Sequence, residues 1–371
     1  MISAVNQFRL QGAPIQCERF GNGHINETSL LVTDAPHLYI LQKINGHVFR
    51  DVPALMRNIS LVTSHLRKKD GNPRHVLTLV PTRDGADFIE EGGAYYRLYE
   101  YITDSLCLSR AETAEDFKQS GVAFGRFQTW LADFPAEMLS ETIPRFHDTA
   151  DRYALFEAAL VADVAGRKKA AGPEIDFYLS RAKEAPRLMR KRAEGLLPLR
   201  VTHNDTKLNN VMLSRQTRSP LCVIDLDTVM PGLVANDFGD AIRFGASTAA
   251  EDETELARVS LSLELYEAFA KGFLSACGKS LTGAEIQSLP LGAKLMTLEC
   301  GVRFLTDYLS GDTYFHTAHS EHNLNRCRTQ MKLVQDMEAK WERMTDIVAR
   351  VMERVAVCGA CESSVSNHGR G

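Results

Sequence analysis

No apolar run in this chain approaches membrane-spanning length, and neither sign of charge dominates it. Acids and bases are interspersed without a long run of either, and the formal charge over 371 residues is only -4. That balance gives no electrostatic footprint for a nucleic acid or an anionic membrane surface. The opening stretch, MISAVNQFRLQGAPIQCERF, lacks the basic and apolar regions of a secretory signal. The expectation is a cytoplasmic chain with a small-molecule partner, no nucleic acid and no membrane. Disulfide-scaffold spacing is missing too. The eight cysteines, at 17, 107, 222, 277, 300, 327, 358 and 361, are scattered through mostly apolar surroundings, as reduced thiols are. Cys358 and Cys361 form a C-x-x-C, but in a Gly/Ser-rich tail with no second pair and no βαβ setting.

What is present is enough chain for two lobes, since 371 residues exceed what one hydrophobic core usually serves. The first hundred residues alternate apolar runs with turns: TSLLVT (28–33), LYILQKI (38–44), VLTLVP (76–81) and AYYRLYEYI (94–102). Their β-branched and aromatic content predicts an antiparallel sheet. One helix interrupts it, because Asp51 can cap, Pro53 suits a first turn, and Leu55, Ile59, Val62 and Leu66 recur at helical spacing. Beyond Thr103 helical patterns cover roughly 113–133, 150–165, 174–195, 254–276, 282–309 and 322–356. The fold class is therefore α+β, with a small sheet lobe over residues 1–102, a larger helical lobe over 103–357 and a disordered tail over 358–371. Two short β pieces, NVML (210–213) and LCVID (221–225), form a hairpin within the helical part.

The stretch VTHNDTKLNNVML, 201–213, crowds polar groups ahead of that hairpin. Asp205 stands five residues before Asn210 with Lys207 between them, and Asp225 ends the next strand. Phosphoryl transfer needs this set. A carboxylate accepts the acceptor hydroxyl's proton, an amide oxygen and a second carboxylate bind magnesium, and a lysine neutralises the γ-phosphate. Turn chemistry explains any one of these residues, since Asn and Asp are the usual loop formers, but not their order and setting together.

HNDTKLNN, followed by VIDLDTVMPG and NDFGDAIRFGAS, resembles the aminoglycoside phosphotransferase and choline kinase superfamily, most closely the bacterial N-acetylhexosamine 1-kinases. The likeness runs from GNGHIN through IPRFHDT and EIDFYLS to ECGVRFLTDYLSGDTYF and EHNLNRCRTQMKLVQ, and stops before the tail. It implies a bilobal, protein-kinase-like fold with ATP between the lobes and a sugar over the larger one. By the same resemblance Asp205 is the base and Asn210 and Asp225 bind Mg2+; whether Asp227 binds a second metal is not decided by the sequence. Candidate nucleotide contacts are Gly21, Gly23, Lys43, Glu100, Tyr101 and Lys207. Gly21 and Gly23 lie in FGNGHINET, where a phosphate-covering loop belongs, although a plain hairpin turn uses glycine equally well. One departure stands out. Gln42 occupies the strand position of the phosphate-binding lysine, Lys43 beside it faces the other side unless the register slips, and the following helix offers no obvious acidic partner.

Two motifs read as decoys. DFG at 237–239 has no strand before it, so Asp237 is a helix cap or a support for the loop; CGKS at 277–280 lacks the phosphate-loop glycine and reads as a helix end. A neutral sugar needs directional hydrogen bonds, for which His24, Asp205, Arg303 and Tyr314 are candidates. For Arg303 the alternative is a structural salt bridge to Asp307 or Asp237; His316, His319 and His322 suggest a metal only weakly. The expected reaction is phosphorylation of the anomeric hydroxyl of GlcNAc or GalNAc. Homoserine, choline or aminoglycoside kinases, or a catalytically silent nucleotide-binding module, remain as alternatives. The last helices show no acidic cluster of the kind that choline and aminoglycosides favour.

Overall fold

The computed structural model describes residues 3–21 and 25–366. Strands β1 (Pro14–Arg19), β2 (Glu27–Thr33) and β3 (Leu38–Ile44) precede helix α1 (Val52–Lys69), and β4 (Ile89–Glu91), β5 (Ala94–Glu100) and β6 (Ser105–Leu106) follow it. Helices α2 (Ala114–Trp130), α3 (Thr149–Ala162), α4 (Gly172–Leu179) and α5 (Arg187–Ala193) lead to β7 (Arg200–Thr202), β8 (Val211–Ser214), β9 (Pro220–Val223) and β10 (Met230–Gly232). Helices α6 (Val234–Gly245), α7 (Leu263–Cys277), α8 (Gly283–Leu309), α9 (His322–Ala339) and α10 (Trp341–Ser366) complete the order.

Backbone proximity divides the chain into two compact units. The smaller holds the residues up to Cys107, with Asp133–Pro144 and Val211–Pro231; the larger holds Leu108–Ala132, Arg145–Asn210 and the chain from Gly232. In the smaller unit an antiparallel sheet runs in the order β1-β2-β3-β5-β4. Leu31, Tyr39, Leu41 and Leu98 pack beneath it against Val5 and Phe8. Helix α1 forms as its sequence predicts: Asp51 accepts from the Ala54 amide at 2.9 Å, and Leu55, Ile59, Val62 and Leu66 are buried. The run 76–81 is not a regular strand. It bonds to β5 only through Val80 to Leu98 and Glu100 to Thr78, while β1 and β4 take sheet positions that their mixed compositions concealed. The β8–β9 hairpin falls in the smaller unit, where it forms a separate three-stranded sheet in the order β6-β8-β9, Leu106 facing Leu213. Its place between helical stretches of sequence suggested otherwise.

The larger unit is built on α8, whose 27 residues are capped by the reciprocal Thr282–Glu285 pair and bury most side chains among α3, α4 and α9. The helical run expected over 174–195 breaks into α4 and α5 around Pro186, and 322–356 divides at Lys340, with α10 continuing to Ser366. Residues 254–262 stay outside α7, holding one short helical turn. Helix α6 is the element that composition hid, since Asn236, Asp237, Asp240 and Arg243 are all buried in it. It lies close to α8 because both present glycine: a Cβ on Gly292 would stand 1.9 Å from the Ala235 carbonyl oxygen, and one on Gly239 2.4 Å from that of Gly292. Backbone atoms cannot step aside as a side-chain tip can. Gly292→Ala should therefore cost roughly 1–3 kcal/mol by overpacking. Urea unfolding checks this, and a variant of unchanged midpoint and slope would mean that the helices slide apart freely.

Candidate active site

In the larger unit the loop after β7 is tied down by Asp237 from the first turn of α6. Its two carboxylate oxygens accept the amides of His203 and Asn204 at 2.9 and 2.8 Å, and one of them also takes the Gln128 side chain at 2.9 Å. Thr206 adds a hydroxyl bond to the Asp237 carbonyl at 2.5 Å. The DFG aspartate is thus a buried anchor for the loop. CGKS likewise lies where α7 ends and a single helical turn follows.

Held in this way, Asp205 is half-buried, with Lys207 Nζ 2.7 Å from one oxygen and Asn210 Nδ2 3.0 Å from the other. Burial opposes its charge, but Lys207 and the Asn210 bond outweigh burial and hold the carboxyl below the ordinary aspartate range. The same pairing raises the Lys207 ammonium well above the ordinary lysine value. Asn210 also donates to the Asp205 carbonyl at 2.8 Å, so its nitrogen is committed and its side-chain oxygen is left as the atom to meet a cation.

In the smaller unit Val211 pairs with Val223, so the hairpin returns the chain beside the residue that follows Asn210. Asp225 is exposed at that end with a left-handed backbone, φ 59°. Asp227 is buried. One of its oxygens meets Arg97 at 2.5 Å and the other takes the Asn26 side chain at 2.5 Å. Arg97, on β5, is 1% exposed and donates through Nε to Gln42 at 2.9 Å. Burial works against its charge, and Asp227 more than offsets this, raising the guanidinium above its ordinary value. Gln42 in turn donates to Thr28, whereas Lys43 turns to Glu27 on the exposed face at 3.0 Å. The structure therefore brings Gln42, not Lys43, toward Asp227. On α1, Asn58 is buried and donates to the Ser140 and Val229 carbonyls. Sequence reasoning missed Arg97; its one signal was a lone arginine flanked by aromatic and apolar residues in the middle of β5.

Glu100 ends β5 with its carboxylate 2.5 Å from His37, and Tyr101 stacks edge-on against Phe20 with centroids 6.0 Å apart. Gly21 has φ +74° with open space around it, a conformation that favours glycine. Gly23 and His24 lie outside the described residues, as do the side chains of Cys358 and Cys361.

On the larger unit Arg303 meets neither expected carboxylate. Asp307 accepts the amides of Thr313, Tyr314 and Phe315 and the Asn323 side chain, and Asp237 holds the loop. Arg303 instead lies 5.5 Å from the rings of Phe146 and Phe315 and 5.8 Å from that of Tyr314. Tyr314 is 68% exposed. Burial opposes the Arg303 charge, while Tyr314 and Glu299 favour it and leave the guanidinium above its ordinary value; burial first, and then the proximity of Arg303, lowers that of Arg152. His319 and His322 stack together, with His322 turned to Asp252, and no cluster suited to a metal occurs among the described residues. Nor, among them, is any helix long and apolar enough to cross a membrane.

A small sheet-bearing unit, a larger helical one and a loop that presents Asp, Lys and Asn in order define a phosphotransferase of protein-kinase-like α+β fold. The chain belongs to the phosphotransferase enzyme family (APH), whose model matches residues 16–271. Solved structures share the fold over nearly their whole length. A microcompartment-associated aminopropanol kinase is similar with TM-score 0.58 and 17% identity, covering 92% of this chain and 97% of its own. An aminoglycoside phosphotransferase from Alicyclobacillus acidocaldarius gives 0.60 and 14%, covering 95% and 96%. An amicoumacin kinase, solved with AMP-PNP and Ca2+, gives 0.58 and 15%, covering 88% and 91%.

Proposed function

We propose that this phosphotransferase uses ATP and Mg2+ to phosphorylate the anomeric hydroxyl of an N-acetylhexosamine, GlcNAc or GalNAc, giving the sugar 1-phosphate. The observation that carries the choice of acceptor is the aromatic surround of Arg303, with the Arg152 guanidinium close by. A cationic amino alcohol or aminoglycoside would meet two positive charges there. A sugar ring stacks on the aromatic faces instead, and its acetamido carbonyl accepts from a guanidinium.

In this reading Asp205 takes the proton of the anomeric hydroxyl. That hydroxyl is more acidic than an ordinary alcohol, so a carboxylate of low basicity suffices. Lys207 lies against the base and is placed to share its charge with a phosphoryl group. Asn210 and Asp225 are the proposed oxygen ligands of magnesium, which when bound supplies neutralisation of the phosphate charge. Nucleotide contacts are assigned to Gly21, Gly23, Glu100 and Tyr101, and an acceptor contact to His24. Lys43 has the weakest case, given its pairing with Glu27.

Phosphorus NMR of the product from N-acetylglucosamine is the test. Phosphate coupled to the anomeric proton supports the reading; a 6-phosphate, or no turnover with any hexosamine, overturns it. Truncating Arg303 to alanine should remove roughly 1–3 kcal/mol of acceptor transition-state binding, seen in kcat/KM for the sugar, with nucleotide affinity hardly changed. Equal losses toward sugar and nucleotide would show that Arg303 only supports the fold.

A further inference from the structure

The segment IPRFHDT supplies none of the ligand roles above, yet its histidine lies directly behind the catalytic loop. His147 is buried. Its Nδ1 is 2.8 Å from a Glu299 carboxylate oxygen, and its Nε2 is 2.9 Å from the carbonyl oxygen of Asn204. Both partners are acceptors. A neutral imidazole carries one N–H, so it would set a lone pair against an oxygen at one of the two contacts; only the imidazolium donates to both.

Glu299 is itself fully enclosed on α8, and its second oxygen accepts from the Thr149 hydroxyl at 2.9 Å. Asn204 precedes the base and has a left-handed backbone, φ +64°. Its N–H goes to Asp237 on α6 and its carbonyl to His147, so the peptide planes on both sides of its Cα are fixed. Those planes set where the Asp205 side chain starts. We propose that His147 is a protonated positioning residue, a fixed imidazolium that ties the Asn204–Asp205 peptide to α8 through Glu299 and so aims the Asp205 carboxylate. The proposal rests on the reading of Asp205 as the base.

The charged groups around His147 are Glu299 on α8, with Arg303 on the same helix, Asp237 and Asp240 on α6, and Arg152 on α3 beyond Glu299. Burial disfavours the imidazolium, and Glu299 with the Asn204 carbonyl more than compensates, which raises His147 above the ordinary histidine value. A value raised by folding has a definite sign. The clamp is fully present below the unfolded-state value and is lost as pH rises through the folded-state value. Its loss therefore belongs to the alkaline side of the rate profile.

The test uses the full chain labelled with 15N-histidine. Long-range proton–nitrogen correlation at pH 7 should show both His147 nitrogens protonated, the resonance being assigned by its absence from His147→Gln. That variant should lose roughly tenfold in kcat, with the KM for ATP within about twofold, and its alkaline limb should flatten. A neutral imidazole at pH 7, or a variant that keeps the wild-type kcat and alkaline limb, overturns the proposal. Should His147→Gln not fold, Glu299→Gln keeps an acceptor while removing the charge. It must then lower the His147 titration midpoint, and an unmoved midpoint overturns the proposal. The spectra need no acceptor, so a failure of the hexosamine reading is told apart from a failure of the clamp.

Discussion

Replacing Asp205 by asparagine should lower turnover about 10²-fold or more while nucleotide affinity stays near the wild-type value. The amide cannot accept the hydroxyl proton, and it also dismantles the local ion pair, because Lys207 lies 2.7 Å from the carboxylate in this structure. Equilibrium nucleotide binding and single-turnover rates separate the two effects. The pH profile gives an independent check. Lys207 and Asn210 hold the Asp205 carboxyl below the usual range, so its protonation should limit the rate only at pH values below those at which a free aspartate titrates. A variant with near-normal turnover would remove Asp205 from the chemistry.

Local rules made some parts of the molecule legible in its sequence. The cap, first-turn proline and apolar spacing of α1 act within one helix, which the structure presents as read; the Asp-x-Lys-x-x-Asn spacing acts within one loop, where Lys207 and Asn210 both meet the Asp205 carboxylate. What escaped depends on partners far apart in sequence. His147 has the residue type of an ordinary loop histidine until the chain brings Glu299, 152 positions away, against it. Helix α6 escaped because the polar residues that its interior requires are the ones that normally mark loops. Lys43 looked like the nearest substitute for a missing lysine. In the fold it pairs with Glu27, and a buried cation arrives from the neighbouring strand instead, since Arg97 stands opposite Gln42 in the β3–β5 register.

That substitution leads to the largest expected change in stability. Arg97 and Asp227 form a buried pair, 1% and 4% exposed in their side chains, with Gln42 and Asn26 taking up hydrogen-bonding capacity on each member. Deleting the cation alone leaves a desolvated carboxylate, at a cost of about 3–5 kcal/mol. Arg97→Met should therefore unfold at markedly lower urea. Lysine cannot mend the site, because a single ammonium cannot serve Asp227 and Gln42 with the spread of a guanidinium fork. The double variant Arg97→Met/Asp227→Leu removes both charges and fills the volume, so it should recover most of the lost stability, as buried pairs replaced by apolar residues often do. If the single variant costs less than about 1 kcal/mol, the pair is effectively solvated. If the double variant is as unstable as the single one, the loss comes from packing around Arg97 and Tyr99, whose ring lies 5.3 Å from the guanidinium. Asp227 stands two residues from Asp225. A double variant that regained stability but not turnover would therefore tie the ion pair to the placement of the proposed magnesium ligand as well as to the fold.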